Sequence, residues 1–155
     1  MDRLEEFKVK VERVRQLCER EDLEGLLLGS AASFAWITCG GDNRRGMAEQ
    51  GSPASVLITF EDAWLICEEG ERLCLAEEEI AGLPLEVQFY SWYEGSEREA
   101  VEDVLEGARW GADVPGLGVE DFSEALSELR RALLPPEVER LQWVGREAEA
   151  ALRAV

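Results

Sequence analysis

The sequence predicts an α/β fold: a mixed, mostly parallel sheet with one hairpin and helices on both faces. Short apolar runs alternate along the chain with amphipathic segments of helical period. Two of these runs, residues 54–60 and 63–67, are separated only by the polar residues Glu61 and Asp62, so a hairpin is their simplest pairing. The length of 155 residues, of which 46% are hydrophobic, is enough for one domain with its own core.

The chain opens with a helix, because apolar residues recur every three or four positions up to about Asp22, with charges between them. These apolar positions are Leu4, Phe7, Val11, Val14, Leu17 and Cys18. Residues 25–29 are expected to form a short buried strand, and Ser30 is a suitable N-cap for a brief helical turn at 31–33. The glycine-rich polar stretch 39–46 is expected to be a loop.

Strands and helices continue to alternate after the hairpin. Ser96 and Glu99 have the spacing of a capping box, which indicates the start of a helix. The predicted elements are, in order, a helix at 71–81, a strand at 87–90, a helix at 96–106, a strand at 110–113 and a helix at 122–133.

The residues Pro135 and Pro136 form the clearest break in the chain. We therefore divide the sequence into a domain at 1–134 and a linker helix at 135–155. The apolar pattern of this helix continues to the last residue, which is typical of a helix that runs on into something longer.

The composition excludes several kinds of function. The chain has no histidine, so it offers no histidine base, no Ser-His or Cys-His pair and no histidine metal ligand. Its net charge of −18 argues against a nucleic-acid partner, because binding to phosphates needs clustered Lys and Arg. Residues 61–107 hold 15 acidic residues and only 2 basic ones. This region is either a solvated face or a surface for cationic partners.

Metal binding and membrane association are not expected for this chain. The side chains of Glu77, Glu78 and Glu79 would point in three directions from a helix, whereas a carboxylate site needs oxygens that converge. No apolar run approaches the roughly 20 residues of a membrane span. The four cysteines have no zinc-site spacing, and reduced thiols in the cytoplasm are the expectation.

The loop at 40–46 is the stretch that most resembles a binding site. Two glycines free its backbone, and Asp42, Asn43, Arg44 and Arg45 present both charges within a few residues. Such a loop can hold a substrate terminus, with an aspartate pairing to an amine or an arginine pairing to a carboxylate. An ordinary turn explains the same spacing equally well.

Several local strings, taken in order, resemble the N-terminal domain of the creatinase, prolidase and aminopeptidase P family, the pita-bread metallopeptidases. The resemblance begins with the opening helix and covers essentially the whole chain. Its strings are Val11-Glu12-Arg13-Val14, Leu23-Glu24-Gly25-Leu26-Leu27-Leu28, Phe34-Ala35-Trp36-Ile37-Thr38-Cys39-Gly40-Gly41-Asp42-Asn43, Ala54-Ser55-Val56-Leu57-Ile58-Thr59, Glu71-Arg72-Leu73 with Glu77-Glu78-Glu79, and Leu134-Pro135-Pro136-Glu137-Val138-Glu139-Arg140-Leu141. It implies a creatinase-type domain of ribonuclease H-like topology.

The resemblance also implies a function. In this family a catalytic domain follows the junction near residue 135 and binds two divalent metal ions (Mn, Co or Zn) through two Asp, one His and two Glu. The N-terminal domain is non-catalytic, helps to form a homodimer and restricts the active site to short peptides. The parent would be a metal-dependent Xaa-Pro aminopeptidase or dipeptidase-like hydrolase, and this chain would have no catalytic residues, metal ligands or cofactor of its own. The loop residues Asp42, Asn43, Arg44 and Arg45 would then contribute to substrate gating.

Two alternatives stay open at this point. The first is a free-standing acidic module of the same fold that binds peptides or histones, which a reading frame that stops after Val155 would favour. The second is a flavodoxin-like domain with a small-molecule ligand, which a co-purifying cofactor would favour.

Overall fold

A six-stranded sheet organises residues 1–44 and 53–154, the part of the chain that this computed structural model describes. The strand order across the sheet is β4-β3-β2-β1-β5-β6. The strands are β1 (Gly25–Leu28), β2 (Ala54–Thr59), β3 (Ala63–Glu68), β4 (Glu86–Tyr90), β5 (Trp110–Ala112) and β6 (Glu120–Asp121).

The pairing of the strands confirms the predicted mixed sheet. Strands β2 and β3 form the predicted antiparallel hairpin, in which Ala54 lies opposite Cys67. Strand β1 pairs with β2 in the antiparallel sense, and the pairs β1–β5, β3–β4 and β5–β6 are parallel. Strand β6 was not predicted, because two polar residues after a turn are too few to show an alternating pattern.

Helices cover both faces of the sheet, as predicted. The α-helices of the described residues are α1 (Arg3–Glu21), α2 (Ala31–Ile37), α3 (Arg72–Cys74), α4 (Glu97–Leu105), α5 (Ser123–Arg131) and α6 (Pro135–Arg153). Leu26 and Leu28 of β1 point to a core formed with α1, α2 and α5, whereas Leu27 points to a second core beneath α4. This opposite burial of neighbouring residues follows from the two-residue period of a strand.

The predicted helix at 71–81 is wrong in form, since this segment is helical but irregular. It consists of a 3-10 turn at Glu69–Glu71, the single α-turn α3 and a π-turn at Leu75–Glu79. The amide of Ile80 donates to the carbonyl of Leu75, five residues earlier, at 3.0 Å. An α-helix would place these two residues on nearly opposite sides, whereas the wider π-turn brings both onto the side of the core.

Helix α2 is longer than the single turn predicted at 31–33, because Phe34 and Ile37 continue its buried side. Its N-cap Ser30 is held in turn by Asp113, the residue that follows β5. The Asp113 carboxylate accepts hydrogen bonds from the amides of Gly29 and Ser30 at 2.7 and 3.0 Å. One side chain therefore joins the carboxyl ends of the two central parallel strands to the start of α2.

Candidate functional site

The loop that follows α2 has a backbone that few residues can adopt. Cys39 and Gly40 have positive φ angles of 59° and 118°. The amide of Gly41 donates to the hydroxyl of Thr38 at 3.0 Å, and that hydroxyl donates to the carbonyl of Phe34 at 2.7 Å. A Cβ atom on Gly41 would come within 2.7 Å of the same hydroxyl oxygen. The loop therefore needs glycine at position 41 for close approach to the end of α2.

Arg3, in the first turn of α1, ties this loop to the irregular helical segment. Its guanidinium donates to the carbonyl of Thr38 at 3.1 and 2.9 Å, and to the carbonyl of Ala81 at 3.1 Å. It also donates to the carbonyl of Glu79. The carboxylate of Glu79 accepts a hydrogen bond from the amide of Asp42 at 2.7 Å, so the loop is anchored at both Thr38 and Asp42.

Asp42 and Arg44 form an ion pair with each other on the surface of the loop. The Arg44 guanidinium donates to both carboxylate oxygens of Asp42, at 2.9 and 2.8 Å. Hydrogen bonds from the side chain and amide of Arg44 lower the pKa of Asp42 to about 2, so its carboxylate is ionised at neutral pH. Both side chains are half exposed, at 47% and 51%. Asp42 can exchange Arg44 for the amine of a peptide, and Arg44 can exchange Asp42 for a peptide carboxylate.

Asn43 lies in a different environment from these two neighbours, because its side chain is buried. Its amide nitrogen donates to the carbonyl of Gly29 at 3.0 Å and to that of Ala54 at 2.8 Å. Asn43 thus joins the end of β1 to the start of β2 and holds the loop against the sheet. The fourth predicted residue, Arg45, lies outside the described residues. The gating role of the four stays a prediction. Of the three that the structure describes, Asp42 and Arg44 have side chains that reach solvent.

A buried ionic cluster lies beneath the loop, and sequence reasoning missed it. The Lys10 side chain is 1% exposed, and its ammonium contacts the Glu6 carboxylate at 2.6 Å and the Glu137 carboxylate at 3.0 Å. It also donates to the carbonyl of Trp36 at 2.7 Å and lies 5.5 Å from the centre of the Trp36 ring. Arg140 completes the cluster, since its guanidinium donates to both oxygens of Glu6 at 3.0 and 2.6 Å.

The sequence contains a signal for this cluster. Lys10 lies three residues after Phe7 and four before Val14, so it falls within the apolar stripe of α1. Glu6 lies one turn earlier, at the spacing of an ion pair. A charged pair placed on the buried side of a helix needs partners from another element. Here the partners are Glu137 and Arg140 of α6.

The acid–base state of the cluster follows from its hydrogen bonds. Burial raises the pKa of Glu6, but the hydrogen bonds and charges of Arg140 and Lys10 outweigh it and lower this pKa to about 2. The nearby Cys39 thiol behaves differently, because burial raises its pKa to about 11 despite the charge of Lys10. Glu6 is therefore ionised and Cys39 is protonated at neutral pH.

No protein-family model matches the sequence, and none of the curated proteins matches it. Solved structures do match. They include the prolidase from Pyrococcus horikoshii, with a TM-score of 0.67 at 16% identity over 94% of this chain and 41% of that chain. The dipeptidase PepE from Mycobacterium ulcerans has a TM-score of 0.65 at 15% identity over 88% of this chain and 39% of that one. The chain thus spans about two fifths of each.

A third structure consists of one domain only. The N-terminal domain of Xaa-Pro dipeptidase from Lactobacillus brevis matches with a TM-score of 0.56 and 12% identity, over 77% of this chain and 98% of that one. At these identities the likeness concerns the fold. It confirms the fold that the resemblance of the sequence strings predicted: this chain has the fold of the N-terminal domains of Xaa-Pro dipeptidases.

Within residues 1–44 and 53–154, no helix is long and apolar enough to cross a membrane. The same part of the chain contains no group of three His, Cys, Asp or Glu side chains placed to hold a metal ion.

Replacing Lys10 by Met is expected to lower the free energy of unfolding by about 3–5 kcal/mol. The substitution leaves the carboxylates of Glu6 and Glu137 buried without their shared cation. Urea unfolding followed by circular dichroism measures the change. The control is Lys8→Met on the exposed side of the same helix, which is expected to cost less than about 0.5 kcal/mol. Equal losses in the two variants would contradict a central role of the cluster.

The pH dependence of stability provides a second test. Because folding lowers the pKa of Glu6 from its ordinary value of 4.5 to about 2, its contribution is complete above pH 4.5 and is lost as pH falls towards 2. Glu6→Gln is therefore expected to flatten the decline of unfolding free energy between these two pH values. Glu12→Gln, on the exposed side of α1, is the control and should keep the wild-type slope. The Glu6 assignment fails if both variants keep that slope.

Proposed function

We propose that this chain is the non-catalytic N-terminal domain of a metal-dependent Xaa-Pro aminopeptidase or dipeptidase-like hydrolase. The observation that carries the proposal is the match to the isolated N-terminal domain of the Lactobacillus brevis Xaa-Pro dipeptidase, over 98% of that chain. The longer prolidase and PepE chains agree with it, because this chain corresponds to less than half of each. The catalytic domain of the parent is the partner that the proposal requires.

The exposed face of α6 supports the presence of such a partner. Glu137 and Arg140 fix the first turns of the helix to α1, but the apolar residues beyond them are exposed. The exposed fractions of Leu141, Val144 and Leu152 are 57%, 53% and 80%. These residues lie on one side of the helix, and an uncovered apolar stripe of this kind marks a contact surface.

Hydrolysis is assigned to the parent's catalytic domain. The two divalent ions (Mn, Co or Zn) that the family implies need a converging set of carboxylate and histidine ligands. The residues of this chain do not fit that requirement: the sequence has no histidine, and no such set converges within the described residues. No step of the reaction is therefore placed on this chain.

The finer roles proposed for this domain are dimerisation and substrate gating. The gating proposal rests on Asp42 and Arg44, which present opposite charges on a loop that is fixed by Arg3, Thr38 and Asn43. Within a homodimer, such a pair can bind the termini of a short peptide and exclude a longer one. We also propose a cytoplasmic location, in agreement with the four free cysteines.

The purified chain is expected to show no hydrolysis of an Xaa-Pro dipeptide when Mn²⁺, Co²⁺ or Zn²⁺ is added. Release of proline, measured against a metal-only blank, checks this. Metal-dependent turnover by the chain alone would overturn the proposal. Reading the gene beyond the codon for Val155 separates the alternatives, because a histidine-containing domain supports a peptidase parent and a stop codon favours the free-standing module.

In the full-length parent, Arg44→Ala is expected to raise KM for a dipeptide about tenfold and to leave kcat within about twofold, since only substrate positioning is weakened. Steady-state kinetics measure both constants. Arg131→Ala removes another exposed arginine, from α5, and should change neither. If kcat of the Arg44 variant falls as much as KM rises, or if KM is unchanged, Arg44 has no role in substrate gating.

A further inference from the structure

Strand β4 forms one edge of the sheet. It pairs with β3 on one side, and within residues 1–44 and 53–154 no strand pairs with its other side. An edge of this kind offers backbone donors and acceptors to another extended chain. Residues 86–89 of this edge are enough for a short added strand.

The two sides of β4 differ in chemistry. Gln88 lies opposite Ile66 of the core beneath α4, and Phe89 lies opposite Cys67 of the core beneath α1. Successive residues of any strand added to this edge would also face these two sides in turn. An incoming segment therefore meets one environment through its odd residues and the other through its even residues.

The side of α4 is acidic. A groove of about 450 Å³ lies between β4, the turn after it and α4, and its lining contains the exposed carboxylates of Glu94, Glu99 and Asp103. Among the described residues that line it there is no Lys or Arg. The Glu69 carboxylate lies at its end, where it accepts a hydrogen bond from the hydroxyl of Ser91 at 3.0 Å. The groove thus attracts cationic side chains.

Aromatic rings are exposed on the opposite side of β4 and beyond its end. The Phe89 ring is 42% exposed, and the guanidinium of Arg72 lies 5.0 Å from its centre. Beyond the end of the strand, Trp92 and Tyr93 form an exposed edge-to-face pair with ring centres 5.6 Å apart. Exposed rings at a sheet edge provide contact area for the apolar side chains of an added strand.

We propose that the β4 edge binds an extended peptide segment in which Lys or Arg alternates with an apolar residue. The segment adds a strand to the sheet, places its cationic side chains in the acidic groove and lays its apolar side chains on Phe89. A second copy of this chain fits the edge poorly, because pairing of two β4 strands would bring two sets of Glu94, Glu99 and Asp103 together. The inference does not depend on whether a catalytic domain follows.

The probe is the capped peptide acetyl-KVKVKVK-amide, titrated into the chain by calorimetry at low salt. Binding is expected to be at least about tenfold tighter than that of KVKPKVK, whose proline removes a backbone donor, and of VVVKKKK, which keeps the composition without the alternation. Amide hydrogen exchange within β4 is expected to slow when the alternating peptide is added.

A pair of matched variants locates the site. Glu99→Gln with Asp103→Asn is expected to weaken binding by at least about fivefold, since two carboxylates of the groove are lost. Glu147→Gln with Glu149→Gln removes the same charge from the exposed face of α6 and should leave binding within about twofold. The proposal is overturned if the alternating peptide does not bind or all three peptides bind equally. It also fails if both double variants weaken binding alike, or if the β4 amides become protected through self-association of the chain.

Discussion

The buried ammonium group of Lys10 is the contact on which the arrangement of this molecule depends. It joins the first helix, a carbonyl in the last turn of the second and the first turn of the last helix, which are far apart in sequence. A charge removed from water must keep its partners, because leaving one unpaired costs several kcal/mol. The cluster therefore fixes how the first turns of α6 lie on α1.

The described part of the loop after α2, residues 38–44, is held in place for a related reason. Its hydrogen bonds are made by side chains that the fold already fixes: Arg3 from α1, Thr38 from the end of α2 and Asn43 against the sheet. The charges of Asp42 and Arg44 are consequently presented at a defined position above the sheet. In the proposed gating role, a loop fixed in this way loses little conformational entropy when a peptide binds.

Much of the fold could be predicted from the sequence, because periodicity reports which side of an element is buried. The hairpin, the central strands and the helices on both faces all follow from it. Asn43 shows the limit for the site. From its neighbours it looked like a ligand-binding residue, but it donates to two carbonyls of the sheet, and the strand ends that it joins are brought together only by the fold. The π-turn at Leu75–Glu79 could not be predicted for the same reason. Leu75 and Ile80 face the same way because both pack into a core that forms only in the folded chain.

The attachment of α6 has a mechanical consequence. The helix is held at Glu137 and Arg140, and the 13 residues after Arg140 extend for about 20 Å at the usual rise. An arm of that length magnifies small changes at its base, so a tilt of about 5° at the cluster moves the far end by about 2 Å. The salt bridges at its base therefore set the direction of the helix axis, and that direction determines where anything packed against the far end of α6 will lie.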